Sequence, residues 1–344
     1  MEYGLLLLGE HDPECVARLA HLAEEAGFQD LWFADEKFFR DPFVSLTHLA
    51  RHTSRIRLGT CVTDPFTRHP ALLAMAMATL DEVSGGRAVL GLGAGFSGLE
   101  AMGVERKRAV RSMRQAIDAI RRLWAGETLT LQDDAFHLSN LSLNFPARPD
   151  IPILLASAGP LMLRLAGETA DEVMFGDLGT TEVLTPALAE VRRGAERSGR
   201  SMDSMRRIAR LNVVLSDDLE AARDVIRPWI LAYLWHAYPD WSKLFDYTPE
   251  WDERMHPLRE FIAARGDKPR NVGDREQVLQ FAPLLPEPLV RRYALLGPPE
   301  GVAEQIAEVA ACGITQLTVY PTPLRGQSTE AAFLAFIRSV LPLL

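Results

Sequence analysis

The sequence of 344 residues predicts an α/β protein built as one (β/α)8 barrel, and three observations support that prediction. Short apolar runs alternate with longer amphipathic segments, as they do in successive βαβ units. Eight such runs follow one another along the chain, which is the number of strands that closes this kind of barrel. The run Leu5–Leu8 is apolar at every position, as parallel strands buried on both faces are.

The predicted strands and helices alternate regularly. In chain order the strands cover residues 5–8, 30–35, 55–62, 87–93, 151–157, 171–177, 208–215 and 314–321. Asp12-Pro13 and Asp41-Pro42 mark the starts of the first two helices, because aspartate caps a helix and proline fits its first turn. Gly27 and Gly85-Gly86 mark helix ends. A longer amphipathic helix is predicted over about residues 104–124.

Two insertions interrupt this rhythm, after the fourth and the seventh strand. Residues 126–150 alternate apolar and polar side chains, which predicts a small antiparallel excursion. Residues 217–310 predict a largely helical insertion that serves as a lid, a subunit contact or both. The aromatic residues of this second region are Trp229, Tyr233, Trp235, Tyr238, Trp241 and Trp251. No second core is expected, so residues 1–344 are predicted to form a single barrel domain.

Composition excludes several classes of protein. A net charge of −9 and a pI near 5.5 disfavour nonspecific binding to nucleic acid, which requires a basic surface. The four leucines near the start are too few for a membrane span or a signal peptide. Cys15, Cys61 and Cys312 are too far apart for a disulfide framework or a CxxC pair, which favours a cytoplasmic protein. The histidines form no HxH or HExxH motif, so no catalytic metal is expected.

A glycine-rich loop follows the predicted fourth strand, and residues 93–98 fit the pattern GxGxxG. A dinucleotide-binding fold places this motif on its first strand, with an acidic residue about 20 positions later. Here three βα units precede the motif, and the acidic candidate Asp118 falls within a predicted helix. A close approach of the backbone to a ligand and an ordinary tight turn both remain possible for this loop.

Other polar groups lie at the ends of strands, where barrel enzymes place their chemistry. Ser157-Ala158-Gly159-Pro160 precedes a helix, which suits either a phosphate or an ordinary serine cap. Residues 60–70 combine hydroxyls, a carboxylate, an arginine and a histidine, and they suit either an anionic cofactor or a polar loop. Glu10, Asp35 and Glu36 are candidates to donate a proton or to bind a substrate, because no helix begins immediately after them.

Three segments together resemble the luciferase-like monooxygenase family: FADEKFFRDP, RIRLGTCVTDPFTRHPALLAMAMATLDEVSGGRAVLGLGAG and LLASAGP. They are most similar to the branch that uses the deazaflavin coenzyme F420, exemplified by methylenetetrahydromethanopterin reductase. The similarity is densest over residues 29–100, returns over 151–177 and is weak over 217–310. It implies a luciferase-like TIM barrel, a homodimer or higher homo-oligomer, and F420 or FMN as the cofactor.

The resemblance also assigns residues to the cofactor. It implies a non-prolyl cis peptide at Cys61-Val62, behind the ring of the cofactor, and a contact of Asp35 with the polar edge of that ring. The strand-four and strand-five loops match contacts to the tail and phosphate. The complete set implied for the cofactor is Asp35, Cys61, Val62, Thr63, Gly93, Ala94, Gly95, Ser157, Ala158, Gly159, Gly176 and Asp177.

The chain departs from the family pattern at one position. The reductase and related sugar-phosphate dehydrogenases carry a histidine after the aspartate, whereas this chain carries Glu36. Glu36 is therefore our first candidate for an acid or base, with Asp35 and Glu10 as the other candidate catalytic residues.

The sequence as a whole predicts an oxidoreductase that moves a hydride between F420 (or FMN) and a small organic substrate, without a nucleic-acid or membrane partner. An FMN-dependent monooxygenase that uses reduced flavin is the first alternative. A non-catalytic protein that binds the same cofactor is the alternative from another class.

Overall fold

The structure is a computed structural model that describes residues 1–95, 98–132, 134–237, 248–264 and 272–344. Its strands are β1 Glu2–Leu7, β2 Asp30–Phe33, β3 Arg57–Thr60, β4 Ala88–Leu92, β5 Leu129–Gln132, β6 His137–Leu141, β7 Ile153–Ala156, β8 Glu172–Gly176, β9 Arg206–Leu215, β10 Ala294–Gly297 and β11 Gln316–Pro321. Its helices are α1 Pro13–Glu25, α2 Pro42–His52, α3 Pro70–Ser84, α4 Ala109–Trp124, α5 Pro160–Thr169, α6 Thr181–Arg197, α7 Leu219–Ala237, α8 Pro249–Arg254, α9 His256–Ala264, α10 Glu287–Tyr293, α11 Pro299–Ala311 and α12 Thr329–Ala335.

Eight parallel strands close the barrel, in the order β1-β2-β3-β4-β7-β8-β9-β11, and β11 pairs again with β1. These strands are the eight predicted from the sequence, so the predicted fold is confirmed. The excursion after the fourth strand is the antiparallel hairpin β5–β6. The strand β10 lies within the predicted helical insertion and was not expected. It pairs in parallel with the second half of β9, beyond the point where β8 ends its own pairing.

Asp12 and Asp41 cap the first two helices, as predicted from the sequence. The backbone N–H of Cys15 donates to Asp12 Oδ1 over 2.8 Å, and that of Phe43 donates to Asp41 Oδ1 over 2.9 Å. One predicted boundary is wrong. The helix expected from residue 104 begins at Ala109, because Arg108 adopts a left-handed conformation with φ 46° that a helix cannot include.

The main core fills the space between the barrel wall and the surrounding helices. A smaller apolar group lies inside the barrel and includes Leu6, Trp32, Leu154, Met174 and Ile208. We expected no further core, but the insertion has its own buried cluster around Ile230, Trp235 and Leu258. That cluster also includes Val214 of β9 and Ala294 of β10, so it is built onto the end of the sheet. The single-domain organisation remains a prediction.

Within the described residues, no helix combines the length and the apolar composition needed to cross a membrane.

Candidate active site

A cavity of about 340 Å³ opens at the carboxyl ends of the barrel strands. This is the end at which barrel enzymes place their functional residues. Nine of the predicted catalytic and cofactor residues line it, namely Asp35, Glu36, Cys61, Val62, Gly93, Ala94, Gly95, Gly176 and Asp177. They come from the ends of β2, β3, β4 and β8, which closure of the barrel brings to one edge.

One wall of the cavity is formed where β3 ends. The Cys61-Val62 peptide bond is cis, as the family resemblance implied. Hydrogen bonds hold both sides of this bond: Cys61 N donates to Phe33 O over 2.8 Å, and Thr63 N donates to Gly91 O over 3.0 Å. A Cβ atom on Gly93 would lie only 2.5 Å from Val62 Cγ2, so only glycine fits there without displacement.

Asp35 is held at the end of β2 by three donors. Its Oδ2 atom lies 2.7 Å from Thr63 Oγ1, 2.8 Å from Arg68 Nε and 2.9 Å from Lys37 Nζ. Burial opposes ionisation, but the hydrogen bond from Arg68 and the charge of Lys37 outweigh it. The pKa of Asp35 therefore lies below its ordinary value. Asp35 is thus an ionised anchor for its neighbours.

Lys37 is a cavity residue that the sequence analysis missed. Its side chain is 10% exposed, and Nζ lies 2.9 Å from Asp35 Oδ2 and 3.1 Å from Asp64 Oδ2. Asp64 in turn accepts hydrogen bonds from the backbone of Phe66 and Thr67. The signal in the sequence is the position of Lys37 directly after two acidic residues at a strand end.

A second ion pair also lines the cavity. Arg210 of β9 contacts Asp177 through Nη1, and Asp177 directly follows the neighbouring strand β8. Burial acts to lower the pKa of Arg210, but Asp177 more than compensates, so that pKa is raised and the guanidinium stays charged. The signal in the sequence was a lone arginine within the apolar run IARLNVVL, which was not considered.

Cys61 is a neutral wall residue. Burial raises the pKa of its thiol to about 12, so the thiolate is absent at neutral pH. Its Sγ atom lies 3.4 Å from Met174 Sδ inside the barrel. The structure therefore gives Cys61 a packing role and no nucleophilic one.

Glu10, predicted as a candidate catalytic residue, accepts a hydrogen bond from the buried hydroxyl of Tyr320 over 3.2 Å. Burial and the nearby charge of Glu10 raise the pKa of Tyr320, so the phenol keeps its proton. Tyr320 lies on the last barrel strand and was not singled out from the sequence. Glu36 lies closer to the cavity than this pair and contributes directly to its lining.

The roof of the cavity comes from the insertion. Trp229, Ala232 and Tyr233 of α7 line it together with Tyr293 of α10. Trp229 also packs edge-on against Tyr320, with ring centroids 5.5 Å apart. Of the other aromatic residues of the predicted insertion, Trp235 is buried in the core of the insertion and Trp251 packs against that core. Tyr238 and Trp241 lie outside the described residues.

The remaining predicted cofactor residues, Ser157, Ala158 and Gly159, lie just beyond Ala156, which lines the cavity. Gly159 is the N-cap of α5, and no side chain caps that helix. Ser157 Oγ accepts from Gly159 N over 2.9 Å. An uncapped helix start leaves backbone amides available to an anion. Phe96 and Ser97 of the glycine loop lie outside the described residues.

The geometry thus defines a parallel barrel with an open cavity at its strand ends, which has charged groups in its lining and aromatic residues in its roof. Comparisons with known proteins agree. The luciferase-like monooxygenase model matches residues 1–316. The chain is 29% identical over 318 residues to 5,10-methylenetetrahydromethanopterin reductase of Methanolobus tindarius, covering 92% of this chain and 93% of that protein. It is 33% identical to phthiodiolone/phenolphthiodiolone dimycocerosates ketoreductase of Mycobacterium kansasii, covering 86% and 80%.

A solved structure supports the same assignment. The coenzyme F420-dependent tetrahydromethanopterin reductase from Methanopyrus kandleri matches with a TM-score of 0.80 and 25% identity over 99% of both chains. The protein therefore belongs to the luciferase-like monooxygenase family, and the resemblance stated from the sequence is confirmed.

Proposed function

We propose that this protein is an oxidoreductase that binds coenzyme F420 or FMN across the carboxyl ends of its barrel strands. It moves a hydride between that cofactor and a small organic substrate. One observation carries the proposal: eight of the twelve residues that the family resemblance assigns to the cofactor line one cavity. The named activities of the matching relatives, an F420-dependent reductase and a ketoreductase, support it.

The loops fit a flat ring with a phosphate-bearing tail. The wall made by Val62 and Gly93 is close-packed backbone and methyl groups, which suits the face of a ring. The uncapped start of α5 beside Ser157 and Gly159 suits a phosphate. When bound, the ring supplies the two-electron chemistry, and the protein supplies orientation and electrostatics.

The residues of this chain position the ligands and exchange the proton. Asp35 stays ionised and fixes Lys37 and Thr63 at the edge of the cavity. Glu36 lines the cavity and is the proposed acid or base for a substrate proton. The pair of Glu10 and Tyr320 is a second place where a proton can be held. The helices α7 and α10 cover the substrate side.

Titration with each cofactor tests the proposal. Purified protein is mixed with F420 and, separately, with FMN, and the absorbance and fluorescence of each cofactor are followed. We expect saturable binding of at least one. Failure of both to bind would overturn the proposal.

The family also contains monooxygenases, which makes reduced FMN and oxygen the second candidate pair of reactants. Oxygen consumption by the FMN-loaded, reduced protein in the presence of substrate would favour that activity. Cofactor binding without turnover of any substrate would favour the non-catalytic alternative.

We further propose that the outer faces of α2 and α3 form a homodimer contact. Val44 of α2 is 71% exposed, and Leu72 and Met75 of α3 are 56% and 44% exposed. A group of large exposed apolar side chains on one face is typical of an interaction surface. The family resemblance implied a homodimer or higher homo-oligomer, and this face provides a place for it.

A further inference from the structure

An arginine inside the barrel stands out among the cavity residues. Arg210 follows Ile208 by two positions along β9, so both side chains point to the same face of the strand, into the barrel. Ile208 packs there with Leu6 and Met174, and the side chain of Arg210 is only 17% exposed. A charged pair is costly in such surroundings. Its presence at the floor of the cavity therefore calls for a functional explanation.

The guanidinium of Arg210 has N–H donors that the ion pair with Asp177 does not use. In the described part of the chain its ion-pair partner is Asp177, reached through Nη1 alone. A guanidinium carries more N–H donors than one carboxylate can accept. Within the described residues, each side-chain nitrogen of Arg210 either has a hydrogen-bond partner or is accessible to solvent. The spare N–H groups therefore reach the cavity, which Arg210 lines.

The charge of the cavity restricts what those donors can bind. Among the described lining residues, Lys37 and Arg210 are cations, and the carboxylates are Asp35, Glu36, Asp64 and Asp177. The lining thus has an excess of negative charge, and Asp177 already neutralises Arg210. An anionic group on the substrate would be repelled at short range by this excess of negative charge. A neutral oxygen would still accept a hydrogen bond from Arg210.

The aromatic residues of the roof restrict the shape and polarity of the rest of the ligand. Trp229, Tyr233 and Tyr293 present aromatic surface to the cavity from α7 and α10. Aromatic rings pack well against one another in offset or edge-on arrangements. A flat apolar body therefore suits the space between this roof and the floor around Arg210.

We propose that Arg210, oriented by Asp177, binds the oxygen of an uncharged aryl carbonyl substrate, and that the cavity discriminates against anionic carbonyl compounds. This inference rests on the proposed function. The carbonyl carbon accepts a hydride from the reduced cofactor, which is thereby oxidised. The π bond of the carbonyl breaks, and its electron pair stays on the oxygen. Arg210 stabilises that developing negative charge until Glu36, the acid of the proposed function, transfers a proton to the oxygen and the alcohol forms.

The test uses two probes that differ in charge, acetophenone and benzoylformate, and protein saturated with whichever of FMN or F420 it binds. Probe binding is followed by the change in the visible absorbance of the bound cofactor. Acetophenone is expected to bind about ten-fold or more tightly than benzoylformate. Arg210→Met is expected to weaken acetophenone binding about ten-fold while the affinity for the cofactor is retained. The exposed Arg338→Met is the matched control and should change neither affinity.

Two further variants keep the inference testable if Arg210→Met fails to fold with Asp177 unpaired. Asp177→Asn leaves the charge of Arg210 unbalanced, so benzoylformate binding should improve about ten-fold relative to the unmodified protein. The double variant Asp177→Asn with Arg210→Met removes both charges and should lose that gain.

The inference is overturned if benzoylformate binds the unmodified protein as tightly as acetophenone, if neither probe binds, or if cofactor-loaded Arg210→Met binds acetophenone as tightly as the unmodified protein. It is also overturned if Asp177→Asn leaves the preference unchanged. Cofactor saturation is measured first, so failure of the proposed function is seen as absence of cofactor binding. If the protein is saturated with cofactor but the probes do not bind as expected, this inference alone fails.

Discussion

At the scale of single residues, the cavity is governed by ion pairs held away from solvent. Asp35 pairs with Lys37, and Asp177 pairs with Arg210. Removing one member of such a pair costs more than the pair contributes, because the other charge remains buried. The orientation of these side chains is therefore set before a ligand arrives, which is what a site built to place a ring and a substrate requires.

Lys37→Met is expected to destabilise the protein. The ammonium lies between Asp35 and Asp64, and its removal leaves two buried carboxylates close together. A loss of about 3 kcal/mol in the free energy of unfolding follows from the usual effect of breaking a buried pair. Urea denaturation at pH 7 measures it. Lys107→Met is the control, because Lys107 is 61% exposed and its partner among the described residues, Glu105, is an exposed carboxylate. Equal stability of the two variants would show that Lys37 is not needed there.

Gly93→Ala is expected to disturb the cavity wall. The added Cβ would lie 2.5 Å from Val62 Cγ2, and a β-branched side chain has little freedom to move aside. We expect a loss of about 1–3 kcal/mol in stability together with weaker cofactor binding. Thermal unfolding of the cofactor-free protein measures the first effect. Gly176→Ala is the control for stability, because its Cβ would meet nothing within 4 Å. A wild-type melting temperature for Gly93→Ala would contradict the packing argument.

At the scale of elements, carboxylates near the ends of helices fix the helix starts and connect α1 to the next segment of the chain. Asp12 and Asp41 cap their own helices, whereas Glu24 of α1 reaches the segment that leads into β3. Glu24 Oε1 accepts from the backbone N–H groups of Arg55 at 2.6 Å and Ile56 at 2.9 Å. Such bonds fix where β3 begins, and the position of the Cys61-Val62 wall follows from that.

Glu24→Gln is expected to lower stability in a pH-dependent way. Burial acts to raise the pKa of Glu24, but hydrogen bonds from the backbone of residues 54–56 outweigh it and lower the pKa from 4.5 to about 2. The ionised form therefore stabilises the fold above pH 4.5, and this contribution is lost as the pH falls towards about 2.

At pH 7 we expect the variant to be about 1 kcal/mol less stable, below the full value of the shift because solvent screens a partly exposed carboxylate. The difference should shrink as urea denaturation is repeated at decreasing pH below 4.5. Glu25→Gln, on the same helix with its exposed side chain near His21, should show no such trend. A constant difference across the pH range would contradict the assignment.

At the scale of the whole molecule, the barrel was predictable because its strands are apolar runs that the chain order alone arranges. Asp35 and the wall at Cys61-Val62 were predictable from family similarity at strand ends. Lys37 and Arg210 were missed, because their roles depend on which side chains closure of the barrel brings opposite them. Spacing along the chain contains no such information.

The strand β10 and the start of α4 were not predicted, because they too depend on the folded structure. The strand β10 is four residues long, and its sequence ALLG becomes a strand only because β9 extends beyond β8 and offers a free edge. The start of α4 was set too early, because the left-handed conformation of Arg108 has no signal in its side chain.

The outer faces of α2 and α3 lead to a prediction about assembly. Replacing Val44 and Leu72 together by glutamate puts two charges on the proposed dimer contact, where burial without partners is unfavourable. Both side chains are exposed in the single chain, so folding should be retained while the dimer dissociates. Size-exclusion chromatography with light scattering should give the mass of a dimer for the unmodified protein and of a monomer for the double variant. Leu343→Glu, at a residue 51% exposed near the end of the chain, is the matched control and should remain dimeric. A monomeric unmodified protein, or a double variant that stays dimeric, would show that this face is not the contact.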